Sequence, residues 1–149
     1  VNSVLGDRNG AAGVAWATAL ATPTQGHAPF MVVARPGLPV RPFTLFVNKS
    51  PLASEEHANL TWGAAQAGVA AGVVDALRTG VIDPVVAETS VLVVAVWVDP
   101  GATVVHQDLI FINNHAATLT ALRNGASGRP TAFEVASDEG GVWNPFYQP

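Results

Sequence analysis

The chain has 149 residues, a formal net charge of −4 and no cysteine. The lack of cysteine excludes disulfides, thiolate chemistry and cysteine-ligated zinc, and the scattered Lys and Arg residues offer no basic stripe for binding nucleic acid. With 49% hydrophobic and only 12% charged residues, the composition supplies a large core and leaves apolar surface that favours a homo-oligomer. A monomer rich in small Ala and Val side chains is the alternative.

The sequence predicts one domain, residues 1–149, located in the cytoplasm. Its first residues show no basic region followed by an apolar run, so no signal peptide is expected. The most apolar stretch, residues 67–74, is much shorter than the roughly 18 residues needed to span a bilayer. No association with a membrane is therefore predicted.

In chain order, the first three predicted elements are strands. Residues 14–21 alternate Val, Trp, Thr and Leu with alanine, a period of two that indicates a first strand, and residues 22–26 are predicted to form a turn. Residues 30–34 and 43–47 are short apolar runs rich in β-branched or aromatic side chains, which are typical of strands.

A long helix is predicted over residues 54–79, with Ser54 as its N-cap and Gly80 as its end. Its apolar residues recur at helical spacing along one face. Gly68 and Gly72 lie on that side, which would let another element approach closely. The same spacing occurs in membrane helix dimers, but tight packing in a soluble core is the interpretation adopted.

The rest of the chain adds a strand, a helix and a weaker strand. Residues 91–98 form an almost unbroken apolar run, as expected of a strand buried on both faces. Residues 114–124 are predicted as a helix and residues 131–136 as a weak strand, while the aromatic tail at 142–147 is expected to pack on the domain. The order βββαβαβ predicts an α+β or mixed α/β fold, in which helices cover one face of a mixed sheet.

Familiar catalytic motifs are absent from the sequence. It contains neither of the glycine-rich phosphate-binding patterns and no G-x-S-x-G nucleophile motif. The histidines, His27, His57, His106 and His115, are widely spread, and none pairs with a second ligand at metal-site spacing. No metal site is therefore predicted.

Three groups of residues nevertheless resemble the formaldehyde-activating enzyme family. They are Asn48-Lys49 with Trp62-Gly63-Ala64-Ala65-Gln66 and the helix that follows; residues 26–39, which include Gly26-His27-Ala28-Pro29-Phe30-Met31; and Gly6-Asp7, Asn9, residues 114–118 and Asn144-Pro145-Phe146. The resemblance implies an α/β sandwich with a left-handed βαβ crossover, an exception to the usual handedness. It also implies ring-shaped homopentamers that bind a reduced pterin in a cleft between subunits.

The resemblance implies a function as well, the condensation of formaldehyde with a pterin of the tetrahydromethanopterin type. The pterin is a co-substrate, and no covalently bound cofactor is expected. Met31, Lys49 and Gln66 match ligand-contacting positions of the family. The family's catalytic histidine lies on the first strand in a His-x-Asp pattern, here matched to Trp16 and Thr18, which do not donate protons near neutral pH.

These residues leave several interpretations open. Trp16 is either a core side chain or a surface on which a ligand stacks, and Lys49 is either a solvated charge or a ligand contact. His27, four residues before Met31 and on the same face of an extended strand, is the candidate substitute acid. Pro51 stands where the family has a ligand-contacting threonine, and it has no N–H donor.

The sequence leaves three alternative hypotheses for the function. The first is a formaldehyde-activating lyase with an altered active site. The alternative is a non-catalytic homologue that binds a reduced pterin or another small molecule at the cleft between subunits. The third is a structural oligomer without a ligand.

Overall fold

The computed structural model describes residues 1–25 and 28–142. The elements are β1 (Asn2–Asp7), α1 (Ala11–Ala21), β2 (Pro29–Met31), β3 (Val33–Arg35), β4 (Leu38–Pro39), β5 (Phe43–Asn48), α2 (Glu55–Asn59), a π-helical segment (Leu60–Ala65), α3 (Gln66–Arg78), α4 (Pro84–Thr89), β6 (Ser90–Val96), a 3₁₀ turn (Val104–His106), α5 (Gln107–Ser127) and α6 (Ala132–Ala136). His27 and most of the aromatic tail lie outside the described residues.

Four strands form a mixed sheet in the order β1-β6-β5-β2. The two central strands, β5 and β6, run parallel, and the edge strands β1 and β2 pair antiparallel with them. Helices α2 to α4 connect β5 to β6, and β3 and β4 form a separate small hairpin. The mixed α/β class is thus confirmed, while the left-handed crossover stays a prediction.

Helices pack on both faces of this sheet. Phe46 of β5 and Val94 of β6 are register partners, and both belong to one buried cluster with Val69 of α3. The position of Gly6 on β1 faces the opposite side of the sheet. Its register partner on β6 is three residues from Val94, and successive positions along a strand alternate between the two faces. A Cβ on Gly6 would lie 2.8 Å from that of Ala12 in α1. Helix α1 therefore covers the face opposite α3, so the expectation of helices on one face is wrong.

The predicted first strand over residues 14–21 is also wrong, since these residues belong to α1. Every second residue in this stretch is alanine, the strongest helix former. A half-buried strand would alternate apolar with polar residues, and this stretch has alanine where the polar residues would be. Ala12 and Trp16, four residues apart, lie on the side of the helix that is turned to the sheet. The first strand is β1, so Trp16 and Thr18 are not first-strand residues.

Several other predicted elements are confirmed, and one is not. Residues 43–47 and 91–98 correspond to β5 and β6, and the predicted helix at 114–124 lies inside the longer α5. The strand predicted at 30–34 divides into β2 and β3. The weak strand predicted at 131–136 is instead the short helix α6. Its N-terminus is stabilised by a capping box between Thr131 and Glu134.

The long helical segment starts and ends as the sequence predicts. The side chain of Ser54 accepts a hydrogen bond from the His57 amide as an N-cap, and Gly80 ends the helix with a φ of +72°. Gly68 and Gly72 pack against α5, where a Cβ on Gly68 would lie 2.5 Å from the carbonyl oxygen of Phe111. In residues 1–25 and 28–142, no helix is long and apolar enough to cross a membrane.

Candidate functional site

The outer edge of β2 borders a pocket of about 330 Å³. Its walls come from the edge strand β2, from the first residue of β3 and from the first half of the long helical segment: Pro29, Phe30, Met31, Val33, Trp62 and Gln66. Two of the residues that the sequence nominates for ligand binding, Met31 and Gln66, are therefore brought together here.

An aromatic row fixes the helix against the edge strand. Phe30 stacks on Phe46, with 4.6 Å between ring centroids, and the ring of Trp62 meets Phe30 edge-on at the same separation. Trp62 lies within the π-helical segment that runs directly into α3. Such segments shift the helical register locally and occur often at functional sites. This one precedes Gln66, so it sets the position from which the glutamine reaches β3.

The amide of Gln66 is held in one orientation. The backbone N–H of Val33 donates to Gln66 Oε1 over 2.8 Å. Because a backbone N–H needs an acceptor, the oxygen faces Val33, and the Nε2 group with its two donors remains for a ligand. Gln66 also borders a second groove of about 920 Å³ along α3.

Lys49 lies on the face of the sheet that α1 covers, opposite the face on which α3 carries Gln66. Its backbone N–H donates to the Val96 carbonyl over 2.8 Å, which continues the parallel pairing of β5 with β6 by one residue. Asn48 is buried on the α3 side, so strand alternation directs the exposed Lys49 side chain to the α1 side, the face that Met31 shares. Lys49 does not line the β2 pocket.

The loop that follows Lys49 contains buried polar groups. The amide of Asn48 donates to the Ser50 carbonyl, and the Ser50 N–H donates back to Asn48 Oδ1 over 3.2 Å. His57 is 0% exposed; its Nδ1 accepts from the Ala53 N–H over 3.2 Å, and its Nε2 lies 3.1 Å from the Val98 carbonyl oxygen. These hydrogen bonds of His57 are not predictable from the sequence, because the Val98 carbonyl, which follows the end of β6, is 41 residues away.

Trp16 and Thr18 are not brought into the β2 pocket. Trp16 is half-buried, and its indole Nε1 has no hydrogen-bond partner in the described part of the chain. Thr18 is exposed. Both residues lie on α1, so the expectation that they belong to the first strand is wrong, and β1 itself contains no histidine. Their match to the family's His-x-Asp pair stays a prediction. His27 lies outside the described residues.

The structure therefore separates the predicted site residues. Met31 and Gln66 both line the pocket at the β2 edge. Lys49 instead follows the last residue of β5, and its side chain lies on the face of the sheet that α1 covers. The described ranges contain no group of three His, Asp or Glu side chains placed to hold a metal ion.

Comparison with known proteins identifies a family and individual relatives that are similar to this chain. The family model described as "Formaldehyde-activating enzyme (Fae)" matches residues 1–147. The chain is 33% identical over 146 residues to the 5,6,7,8-tetrahydromethanopterin hydro-lyase of Methanosarcina barkeri, covering 98% of this chain and 81% of that protein.

Bifunctional Fae/Hps enzymes are similar over one part of their length. The enzyme of Methanothrix thermoacetophila is 36% identical over 135 residues, which are 91% of this chain and 34% of that protein. The enzyme of Methanococcoides burtonii is 36% identical over 139 residues, 93% of this chain and 35% of that protein. The match over nearly the whole sequence shows that this chain belongs to the formaldehyde-activating enzyme family.

Proposed function

We propose that the chain condenses formaldehyde with a reduced pterin of the tetrahydromethanopterin type to give the methylene-pterin. The observation that carries the proposal is the fixed amide of Gln66 beside Met31 at the β2 edge, in a chain of this family. A pterin is rich in ring nitrogens and carbonyl oxygen that accept hydrogen bonds, and the Gln66 Nε2 group offers two donors.

The reaction defines what the site has to supply. One pterin amine adds to the carbon of formaldehyde and forms a carbinolamine, whose C–O bond then breaks as a proton is delivered to the departing hydroxyl. The second pterin amine attacks the resulting iminium carbon and loses its proton, so one water is released in all. Holding both amines and the aldehyde in one geometry contributes much of the acceleration, and a general acid assists loss of water.

The binding residues have distinct proposed roles. Gln66 donates to the pterin, Met31 forms an apolar wall, and the ammonium of Lys49 binds the carbinolamine oxygen or a pterin acceptor. Trp16 and Thr18 are also proposed as binding residues, because they lie on α1, which covers the sheet face that Lys49 shares.

The site is completed, in this proposal, by a second subunit. Gln66 and Lys49 lie at different faces of the sheet, and the outer edge of β2 is unpaired within the described chain. A neighbouring subunit docked at this edge would turn the open pocket into a cleft. We propose a cytoplasmic homopentamer of single-domain subunits, residues 1–149, without metal or covalently bound cofactor.

The proposed site is altered at its proton donor and beside Lys49. Pro51 has no N–H and no side-chain donor where the family has a threonine, and β1 contains no histidine. His27 remains the proposed substitute acid.

Stopped-flow measurement of methylene-pterin formation tests the activity. Formaldehyde and tetrahydromethanopterin are mixed with and without protein, because the condensation also proceeds uncatalysed. We expect acceleration above background and a loss of roughly 10²–10⁴-fold in His27→Ala if His27 is the acid. Acceleration that survives His27→Ala would assign the proton transfer to another group.

A second candidate is a non-catalytic homologue that binds the reduced pterin or another small molecule. The lack of a hydrogen-bond donor at Pro51 and the absence of a histidine from β1 favour this non-catalytic function. Calorimetry with tetrahydromethanopterin and tetrahydrofolate separates the candidates, since binding without acceleration supports this second function. Failure of both pterins to bind at millimolar concentration would contradict both and leave the structural oligomer.

A further inference from the structure

We propose that His57 is a positioning residue that holds the loop bearing Lys49 against the end of β6. The inference rests on the proposed function only where it gives Lys49 a role in ligand binding. The loop comprises residues 49–54, between β5 and α2. Its first residue is tied to the sheet through the Lys49 N–H and the Val96 carbonyl, and its last residue is the N-cap of α2.

The ring of His57 ties the end of this loop, next to the N-cap of α2, to the segment that follows β6. Nδ1 accepts from the Ala53 N–H, so the neutral ring carries its proton on Nε2 and donates it to the Val98 carbonyl. Ala53 belongs to the loop, and Val98 follows β6 by two residues. One fully buried ring thus joins the two segments that leave the carboxyl ends of the neighbouring parallel strands.

A neutral imidazole is suited to this position because it carries an acceptor and a donor on one rigid ring. With the side chain 0% exposed, water does not replace either partner, so losing one bond leaves a buried polar group unpaired. The Asn48 amide braces the same loop from its other end through its two bonds to Ser50. Lys49 therefore extends an exposed side chain from a backbone held on both sides, which reduces the entropy lost on binding.

A lysine-specific protease gives a direct readout of this loop. Lys49 is the only lysine in the sequence, so such a protease cleaves the chain at one place. His57→Asn retains an acceptor for Ala53, and His57→Gln retains a donor for Val98; each breaks one of the two links. Both variants should be cleaved about five- to 150-fold faster than the wild type under native conditions, as expected when a buried hydrogen-bonding group is left unpaired.

Val73→Ala is the matched control, because Val73 is fully buried in α3 and contributes to the core rather than to the loop. It should lower global stability and leave the native cleavage rate at Lys49 unchanged. Equal acceleration in Val73→Ala and in the His57 variants would show that cleavage follows global unfolding and would overturn the proposal.

Amide hydrogen exchange tests the wild-type protein without any substitution. Ala53 is exposed, yet its N–H donates to a buried ring nitrogen and should exchange slowly. Exchange of this amide at the rate of an unbonded loop amide would also overturn the proposal.

Binding of tetrahydromethanopterin then separates this inference from the proposed function. If His57 acts through Lys49, each His57 variant should weaken binding in the wild-type background and have no further effect in Lys49→Ala. An additive loss in Lys49→Ala would mean that His57 influences binding by another route and would contradict the positioning role. If cleavage accelerates while neither His57 nor Lys49 substitutions alter binding, the brace is established and the role proposed for Lys49 fails.

Discussion

Gln66 combines a structural contact with a proposed binding contact, and the two can be separated by substitution. Gln66→Glu keeps an oxygen for the Val33 N–H but removes the amide donors. Stability should change little, while pterin binding should weaken by about 0.5–1.5 kcal/mol for the lost neutral hydrogen bond. Gln66→Leu removes both contacts, leaves the Val33 N–H unpaired and should cost about 1–3 kcal/mol of stability.

Chemical denaturation and calorimetry, run on both Gln66 variants, measure the two effects separately. Unchanged pterin binding in Gln66→Glu would remove Gln66 from the proposed site. Equal stability losses in both variants would indicate that the bond to Val33 does not account for the structural contribution.

At the scale of elements, the contact between α3 and α5 depends on two glycines. A Cβ at position 72 would lie 2.8 Å from the Thr118 Cβ and 2.9 Å from the His115 carbonyl oxygen. Gly72→Ala should therefore destabilise the protein by about 1–3 kcal/mol through overpacking, despite the higher helix propensity of alanine. Gly63→Ala is the control, because nothing lies within 4 Å of its added Cβ.

Thermal unfolding of these two glycine variants provides the measurement. A Gly72→Ala protein as stable as Gly63→Ala would show that α5 can move away from α3 at little cost. That result would remove the reason for small residues along this face of α3.

For the whole molecule, the described surface carries large apolar side chains in several elements. Val105 is 82% exposed, Phe133 79% and Val85 74%, and burying such apolar side chains against another subunit is favourable. Together with the unpaired outer edge of β2 in the described chain, this supports the predicted closed homo-oligomer. Sedimentation equilibrium at micromolar concentration should show a pentamer; a monomer would contradict the prediction and leave the site open at the β2 edge.

The sequence by itself determined the elements whose signals are local. The N-cap at Ser54 and the glycine stop at Gly80 bounded the long helix, because both depend on hydrogen bonds and backbone angles within a few residues. The apolar runs of β5 and β6 identified the two central strands, since buried parallel strands are apolar on both faces. Family membership was likewise visible in the order of short motifs.

Tertiary structure decided what local patterns left ambiguous. Residues 14–21 alternate like a strand but form α1, because alanine favours a helix and the sheet face beside Gly6 accepts Ala12 closely. The separation of Gln66 from Lys49 was hidden for a similar reason, since a motif does not reveal which side of a sheet each of its residues will face.

The bonds that shape the candidate site are long-range in sequence. Gln66 meets Val33 across 33 residues, and His57 meets Val98 across 41. Neither partner is specified by spacing or composition, because each pair forms only once the sheet has brought distant segments together. The sequence therefore determined which side chains were available, and the sheet determined which of them share hydrogen bonds.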